Sequence, residues 1–429
     1  MIVPVILVIV TAVQVNSQEL CPSVCQCNGD NATCTDVFSD VTNMTQETFH
    51  SALRRLRVTG STRLEVEEDL FLRWNITSLT NLDLSKNNIT KIWHLAFYSL
   101  AYLVELNLDG NSITTLHSQT LNYNTRLVWL SLEWNNITSL PADLFKNSVN
   151  LQYVRLENNR INDVHPSTFQ NNSRLSHIDL SGNKINSIQP DKFLHNSALR
   201  WLDLKGNNIT DVHPSTFRNN SRLTHLDMTG NKINSIQPHT FLHNRVLEWL
   251  DLKGNRISNV NPSSFRDTSR LRHLDMSGNK ITSIKPVTFI HNTVLEWLGL
   301  EENNINFVHP STFRFNSRLS HLDMSGNKIK SIQQDTFAYN MELEWLHLEG
   351  NSITDVHPST FRFNSRLSHL DMSGNKINSI QPDTFIHNTE MEWLDLKRNS
   401  ITDVHQSTFR NNRLLTRLDM SGNKFTSVD

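Results

Sequence analysis

The sequence is short of the residues that mark most familiar protein classes. Its 429 residues include 4 cysteines, 13 glycines and 12 prolines. No cysteine follows Cys34, so nearly all of the chain must hold together without disulfides or thiolate metal sites. No glycine-, serine- or proline-rich stretch reads as a linker between domains. With a net charge of -2 and no polybasic run, nothing calls for nucleic acid or an anionic membrane as a partner, and no nucleic acid is expected. Beyond the N-terminus no segment is apolar enough for a transmembrane helix or the tail of a lipid-anchor signal. Phosphate loops, H-E-x-x-H and nucleophile–base motifs are absent. The expectation is therefore a protein that is not an enzyme, with no cofactor, no metal and no membrane span.

What the sequence does have begins at the N-terminus. The apolar run Ile2 to Val13 is too short to span a bilayer and has the length of a signal-peptide core, although no Lys or Arg precedes it. Small residues near Asn16 and Ser17 place cleavage before Gln18, which predicts a secreted, extracellular protein. Cys21, Cys25, Cys27 and Cys34 follow with C-x3-C-x-C-x6-C spacing. Clustered after a secretory signal, they read as two disulfides; a zinc site would show C-x-x-C pairs. Eight N-x-S/T sequons predict glycosylation at Asn31, Asn43, Asn75, Asn88, Asn136, Asn171, Asn208 and Asn219.

From Leu79, leucine or methionine recurs every 24 residues through Leu103 and Leu127 to Met391 and Leu415. Each frame fits L-x-x-L-x-L-x-x-N-x-I-x-x-I-x-x-x-x-F-x-x-x-x-x. Positions 4 and 6 alternate with polar residues, the pattern of a short half-buried strand. Positions 1, 11 and 14 point apolar groups inward. Position 9 is Asn in every frame, from Asn87 to Asn423, and a stacked Asn can both donate and accept at the turn after the strand. Position 19 is Phe except at Leu121, which predicts a ring column on the convex side. One such unit cannot bury its apolar side alone; a stack can.

This pattern resembles the typical extracellular leucine-rich repeats of Toll-like receptor ectodomains, Slit and variable lymphocyte receptors, and CPSVCQC resembles their N-terminal cap. The resemblance implies an α/β-type repeat solenoid: a curved, right-handed horseshoe with a concave parallel β-sheet and an irregular convex side. It also implies pairing of Cys21 with Cys27 and of Cys25 with Cys34. The expected organisation is a signal peptide at 1–17, a cysteine-rich cap at 18–52, an irregular first repeat at 53–78, fourteen 24-residue repeats at 79–414, and a partial repeat at 415–429 without a second cap. An open coil edge at Leu415, Leu418 and Met420 would suit a homodimer, unless the chain continues.

From Leu151 two repeat types alternate, so the unit is 48 residues. VHPSTFRFNSRLSHLDMSGNKI occurs identically at Val308–Ile329 and Val356–Ile377. Such copying weakens any functional argument from recurrence, because a copied residue recurs whether or not it is used.

Positions 3, 5 and 7 should face outward on the concave sheet. Position 3 interleaves Trp201, Trp249, Trp297, Trp345 and Trp393 with His177, His225, His273, His321 and His369, and Trp129 and Tyr153 extend the column. Exposed Trp is unusual and marks binding hot spots; equally, such rings can cover one another as a cross-strand ladder. Position 5 is mostly Asp, including Asp251, Asp275 and Asp323, with Lys205, Lys253 and Lys397 two residues after an Asp. The remaining negative charge favours a ligand with basic groups. His beside Asp also suggests pH sensing, against the plainer reading of a solvated polar face. The expectation is a recognition protein binding an extracellular protein, or a microbial or glycan ligand, on this face, of the innate-immune or cell-guidance kind or as a soluble decoy of a receptor pathway. The alternatives are a matrix or adhesion protein and a truncated receptor ectodomain. Sequons stop at Asn219, which leaves the C-terminal half as the preferred interface.

Overall fold

The computed structural model describes residues 21–22, 24–35, 49–62 and 64–425. The expected signal peptide at 1–17 and the sequon at Asn43 lie outside these residues. The chain winds as a right-handed leucine-rich-repeat-like coil whose strands form one sheet of 18 strands. It opens with β1 (Cys25–Asn28), antiparallel to β2 (Asn31–Thr35); β2 then pairs in parallel with β3 (Arg55–Thr59). Among the described residues each later strand of this sheet adds in parallel and in sequence order, with position 3 beside position 3 in successive repeats. Disulfides Cys21–Cys27 and Cys25–Cys34, the pairing the resemblance implies, tie down the first edge.

Each strand is short because its alternation is short. At Trp249–Asp251, Leu250 is buried while its neighbours face out, as the period of two requires. The turn after the strand needs a left-handed residue at position 8. Gly206, Gly254 and Gly350 supply it at φ of 65–66°, and a Cβ on Gly254 would meet nothing closer than 3.6 Å. Lys86, Trp134, Asn158, Glu302 and Arg398 adopt the same conformation without being glycine. The convex side is irregular, apart from minimal pairings such as Ser235–Ile236 with Asn259–Val260. Among the described residues there is a single helix, Leu70–Arg73.

The core runs unbroken along the solenoid axis. Up to Ile401, Leu, Ile and Met at positions 1, 4, 6 and 11 are buried, and the methionines Met228, Met276, Met324 and Met372 are fully so; in the last coil Leu415 and Met420 are half-buried and Leu418 is exposed. The position-19 rings stack across coils, Phe145 on Phe169 at 5.5 Å and Phe337 on Phe361 at 6.2 Å. Burying a side chain of this size contributes about 1.5–3 kcal/mol, and here it is available only between coils.

Two asparagine ladders satisfy the backbone between coils. At position 9, Asn207 donates to the carbonyls of Leu180 (2.9 Å) and Leu204 (3.0 Å) and accepts from the amide of Ile185 (2.9 Å). The second ladder, at position 22, lies near the phenylalanine column. Asn220 donates to Phe193 and Asn196, both at 3.0 Å, and the pattern repeats through Asn244, Asn316, Asn364 and Asn412. Sequence reading registered only the first ladder. The second signal was present as a recurrent Asn, but its partners are carbonyls that only the coiled geometry brings near.

Candidate functional site

The outward face of the sheet carries the aromatic column, and most of its members stack. Tyr153 lies on His177 at 4.6 Å, Trp201 on His225 at 4.6 Å, Trp249 on His273 at 3.5 Å and Trp345 on His369 at 3.6 Å, all near parallel. Arg417 closes the series over Trp393 at 5.2 Å. The rings therefore cover much of one another. They do not cover all: Trp201 and Trp249 stay 43 % and 40 % exposed, and the histidines are half-buried. The face is thus both a self-supporting ladder and an accessible aromatic strip.

The histidine tautomers follow from their neighbours. Ser176 Oγ donates to the Gln152 carbonyl at 3.1 Å, so its proton is spent, and His177 Nδ1 at 2.8 Å must donate to it. The same pair of contacts occurs at Thr224–His225, Ser320–His321 and Ser368–His369. In all four the Nε2 lone pair has no partner among the described residues. Burial lowers the pKa of these four histidines, which favours the neutral ring. His273 differs. Arg272 precedes it instead of a hydroxyl, and its Nε2 lies 3.0 Å from Asp251 Oδ1.

The position-5 carboxylates have a structural task that the sequence did not reveal. Oδ1 of Asp179, Asp203, Asp275, Asp323 and Asp371 accepts the amide two residues on, at 2.8–2.9 Å, closing the turn after the strand. Asp275 and Asp371 are buried. Burial pushes the carboxyl of Asp203 up to about 7 and raises that of Asp227, with the neighbouring carboxylates adding to both. Near the other end of the face burial takes Glu133 to about 7, against the pull of Arg155. Burial opposes ionisation of Asp323 too, but hydrogen bonds from His347 and Ser325 outweigh it and hold the carboxyl below the usual range. Among the described residues no group of three or more His, Cys, Asp or Glu is placed to hold a metal ion.

Of the sequons, Asn75, Asn88, Asn171 and Asn219 are exposed, and Asn31, Asn136 and Asn208 are half-buried. Lys192 is a residue that sequence reading passed over. It takes the place of the Thr or Ser usual at position 18, is 4 % exposed, and donates Nζ to the Val164 carbonyl at 2.8 Å and to Asp163.

The leucine rich repeat family matches residues 77–137 and, in overlapping stretches, 149–429. The chain belongs to the leucine-rich-repeat family. Among solved leucine-rich-repeat structures, the Drosophila Toll–Spätzle complex has a TM-score of 0.73 at 21% identity, over 83% of this chain and 53% of that one. The plant peptide hormone receptor RGFR1 with RGF2 has a TM-score of 0.70 at 21% identity, over 87% and 60%. The Leptospira interrogans leucine-rich-repeat protein LIC12759 reaches 0.68 at 21% identity, over 88% and 86%. The chain thus spans little more than half the length of the two receptor chains. At such identities the likeness is one of fold. No curated protein sequence matches this leucine-rich-repeat chain. No helix among the described residues is long and apolar enough to cross a membrane.

Proposed function

We propose that this is a secreted leucine-rich-repeat recognition protein whose concave face binds an extracellular protein. The observation that carries the reading is the accessible aromatic strip: Trp201 and Trp249 keep large exposed areas on a sheet face where Nε2 of His177, His225, His321 and His369 has no partner among the described residues. A ring already ordered by stacking loses little further freedom on binding, which is what a hot-spot residue needs. Two neighbours of this fold were solved with a bound partner, Toll with Spätzle and RGFR1 with RGF2, which supports a protein ligand. In this reading residues 1–17 are a cleaved leader, 18–52 the disulfide cap, 53–78 the first repeat, and 79–429 the recognition array. The sequons carry glycans over the N-terminal half and leave the second half of the strip clear, in an innate-immune or guidance setting.

The test is affinity capture from extracellular fluid with purified Trp249→Ala, Trp297→Ala and Trp345→Ala proteins. A partner retained by the parent and lost from the variants supports the reading; a partner held equally by all of them sinks it.

A further inference from the structure

In an array copied this closely, the departures carry more information than the recurrences. Trp-type repeats read WLDLKG at Trp201 and Trp249 and WLDLKR at Trp393. At Trp297 the run is WLGLEE, so Gly299 stands where Asp is usual, Glu301 where Lys is usual and Glu302 where Gly is usual. At Trp345 it is WLHLEG, with His347 and Glu349 in the same places. The His-type repeat between them, with His321, Asp323 and Ser325, keeps the common pattern.

The geometry breaks at the same spot. Trp201, Trp249 and Trp345 each stack on the following histidine. Trp297 instead leans back on His273 at 4.2 Å and lies over Gly299, where a Cβ would come within 2.5 Å of its Cη2. Trp297 and His321 are register partners on adjacent strands, yet their rings make no contact. Between Tyr153 and Trp393 this is the one such neighbouring pair among the described residues. One face of the His321 ring is left without the indole that covers its counterparts. Beside this break stand Asp323, kept ionised by His347, whose Nδ1 is 3.5 Å away, and Glu301, which Lys253 contacts from two coils back at 2.7 Å.

We propose that this break receives an arginine side chain of the protein ligand. The proposal rests on the concave-face reading above and names what one point of that face recognises. A guanidinium is planar, so it can take the place on His321 that an indole occupies elsewhere, with Trp297 beside it. It is cationic, and at Trp297 the array's Asp, Lys and Gly become Gly299, Glu301 and Glu302, so a stretch with one charge of each sign becomes one with two carboxylates and no lysine. Its forked N–H groups suit the Asp323 carboxylate, whose Oδ1 is already fixed by the Ser325 amide and hydroxyl. An ammonium has the charge but no face to stack, and a urea has the face but no charge.

The test uses the full chain with N-acetyl-arginine methylamide, its lysine counterpart and its citrulline counterpart as probes, read by NMR on labelled Trp and His. The arginine probe is expected to shift the Trp297 indole and His321 ring signals saturably, with affinity about tenfold or more above the other two. Gly299→Ala is expected to push the indole upright, give a new Trp297–His321 ring contact and lower arginine affinity about tenfold, while Trp201 signals stay unchanged. Glu301→Lys, which restores the residue the array uses elsewhere on this solvated face, is expected to give the same loss and serves should Gly299→Ala not fold. Equal binding of arginine and lysine, or full arginine binding by both variants, overturns the proposal. If the probe fails while partner capture still depends on Trp249 and Trp345, the arginine site falls and the concave-face reading stands; if the probe binds and no partner depends on those rings, the reverse holds.

Discussion

Asp251 holds two rings of the ladder at once: Trp249 Nε1 donates to its Oδ2 at 2.6 Å and His273 Nε2 to its Oδ1 at 3.0 Å. The two rings so held are also the closest stacked pair of the column, at 3.5 Å. Asp251 accepts no bond from the turn amide two residues on, as other position-5 aspartates do, so one residue type does two jobs in one column.

This relationship predicts a split among the histidines. At neutral pH, long-range nitrogen–proton NMR spectra should show His177, His225, His321 and His369 as Nδ1–H tautomers and His273 as the Nε2–H tautomer. Asp251→Ala should release His273 from its tautomer and leave the other four unchanged. A common tautomer for all five would contradict the hydroxyl relay.

The second asparagine ladder should be as necessary as the first. Asn316 donates to the Phe289 carbonyl at 3.0 Å and the Asn292 carbonyl at 2.8 Å inside the core. Asn316→Ala should cost about 1–3 kcal/mol, by loss of both bonds and of packing. Urea midpoints measure it, and a change near zero would show that the ladder is ornamental.

Backbone strain at position 8 can be separated from packing. Gly254→Ala introduces a Cβ with room around it but in a left-handed conformation, and should cost about 1 kcal/mol. Arg398, at φ 52°, already bears that strain, and Arg398→Gly should recover roughly 0.5–1 kcal/mol. Opposite signs in thermal melts are the expected result.

Burial of Asp203 makes stability depend on pH in a definite direction. Its folded pKa, about 7, is above the ordinary value of 3.8. Between those values the folded state keeps a proton that the unfolded chain releases, so stability falls as pH rises through this window and stays reduced above it. Asp203→Asn keeps an oxygen to accept the Lys205 amide and removes the charge. It should therefore raise Tm more at pH 8 than at pH 4; a gain independent of pH would show that the carboxyl is not desolvated.

Much of this was legible in the residues. The 24-residue period fixed the strands, Asn207 and its equivalents announced the turn ladder, and the cysteine spacing marked the cap. What stayed hidden depended on groups 22 to 28 positions apart in sequence. Asn220 finds the Phe193 carbonyl, Ser176 spends its proton on Gln152, and Lys192 reaches Val164, each one coil away. Residue types name these donors, but only the winding decides which carbonyl waits for them. The tilt of Trp297 was hidden for another reason: it follows from a side chain that Gly299 does not have.

Every bond in either ladder joins a coil only to its immediate neighbours, and identical residues recur 48 positions apart. Excising one pair of coils, such as Val308–Asp355, would bring Phe307 to Val356, the residue identical in place to the one removed, and both ladders would be remade with equivalent asparagines, while surface pairs such as Arg366–Glu342 would be lost. A gene built this way can lengthen or shorten its product by unequal recombination without breaking either ladder at the scar. The length of the concave face is then a quantity that inheritance can adjust in steps of two coils, independently of the side chains any one step displays.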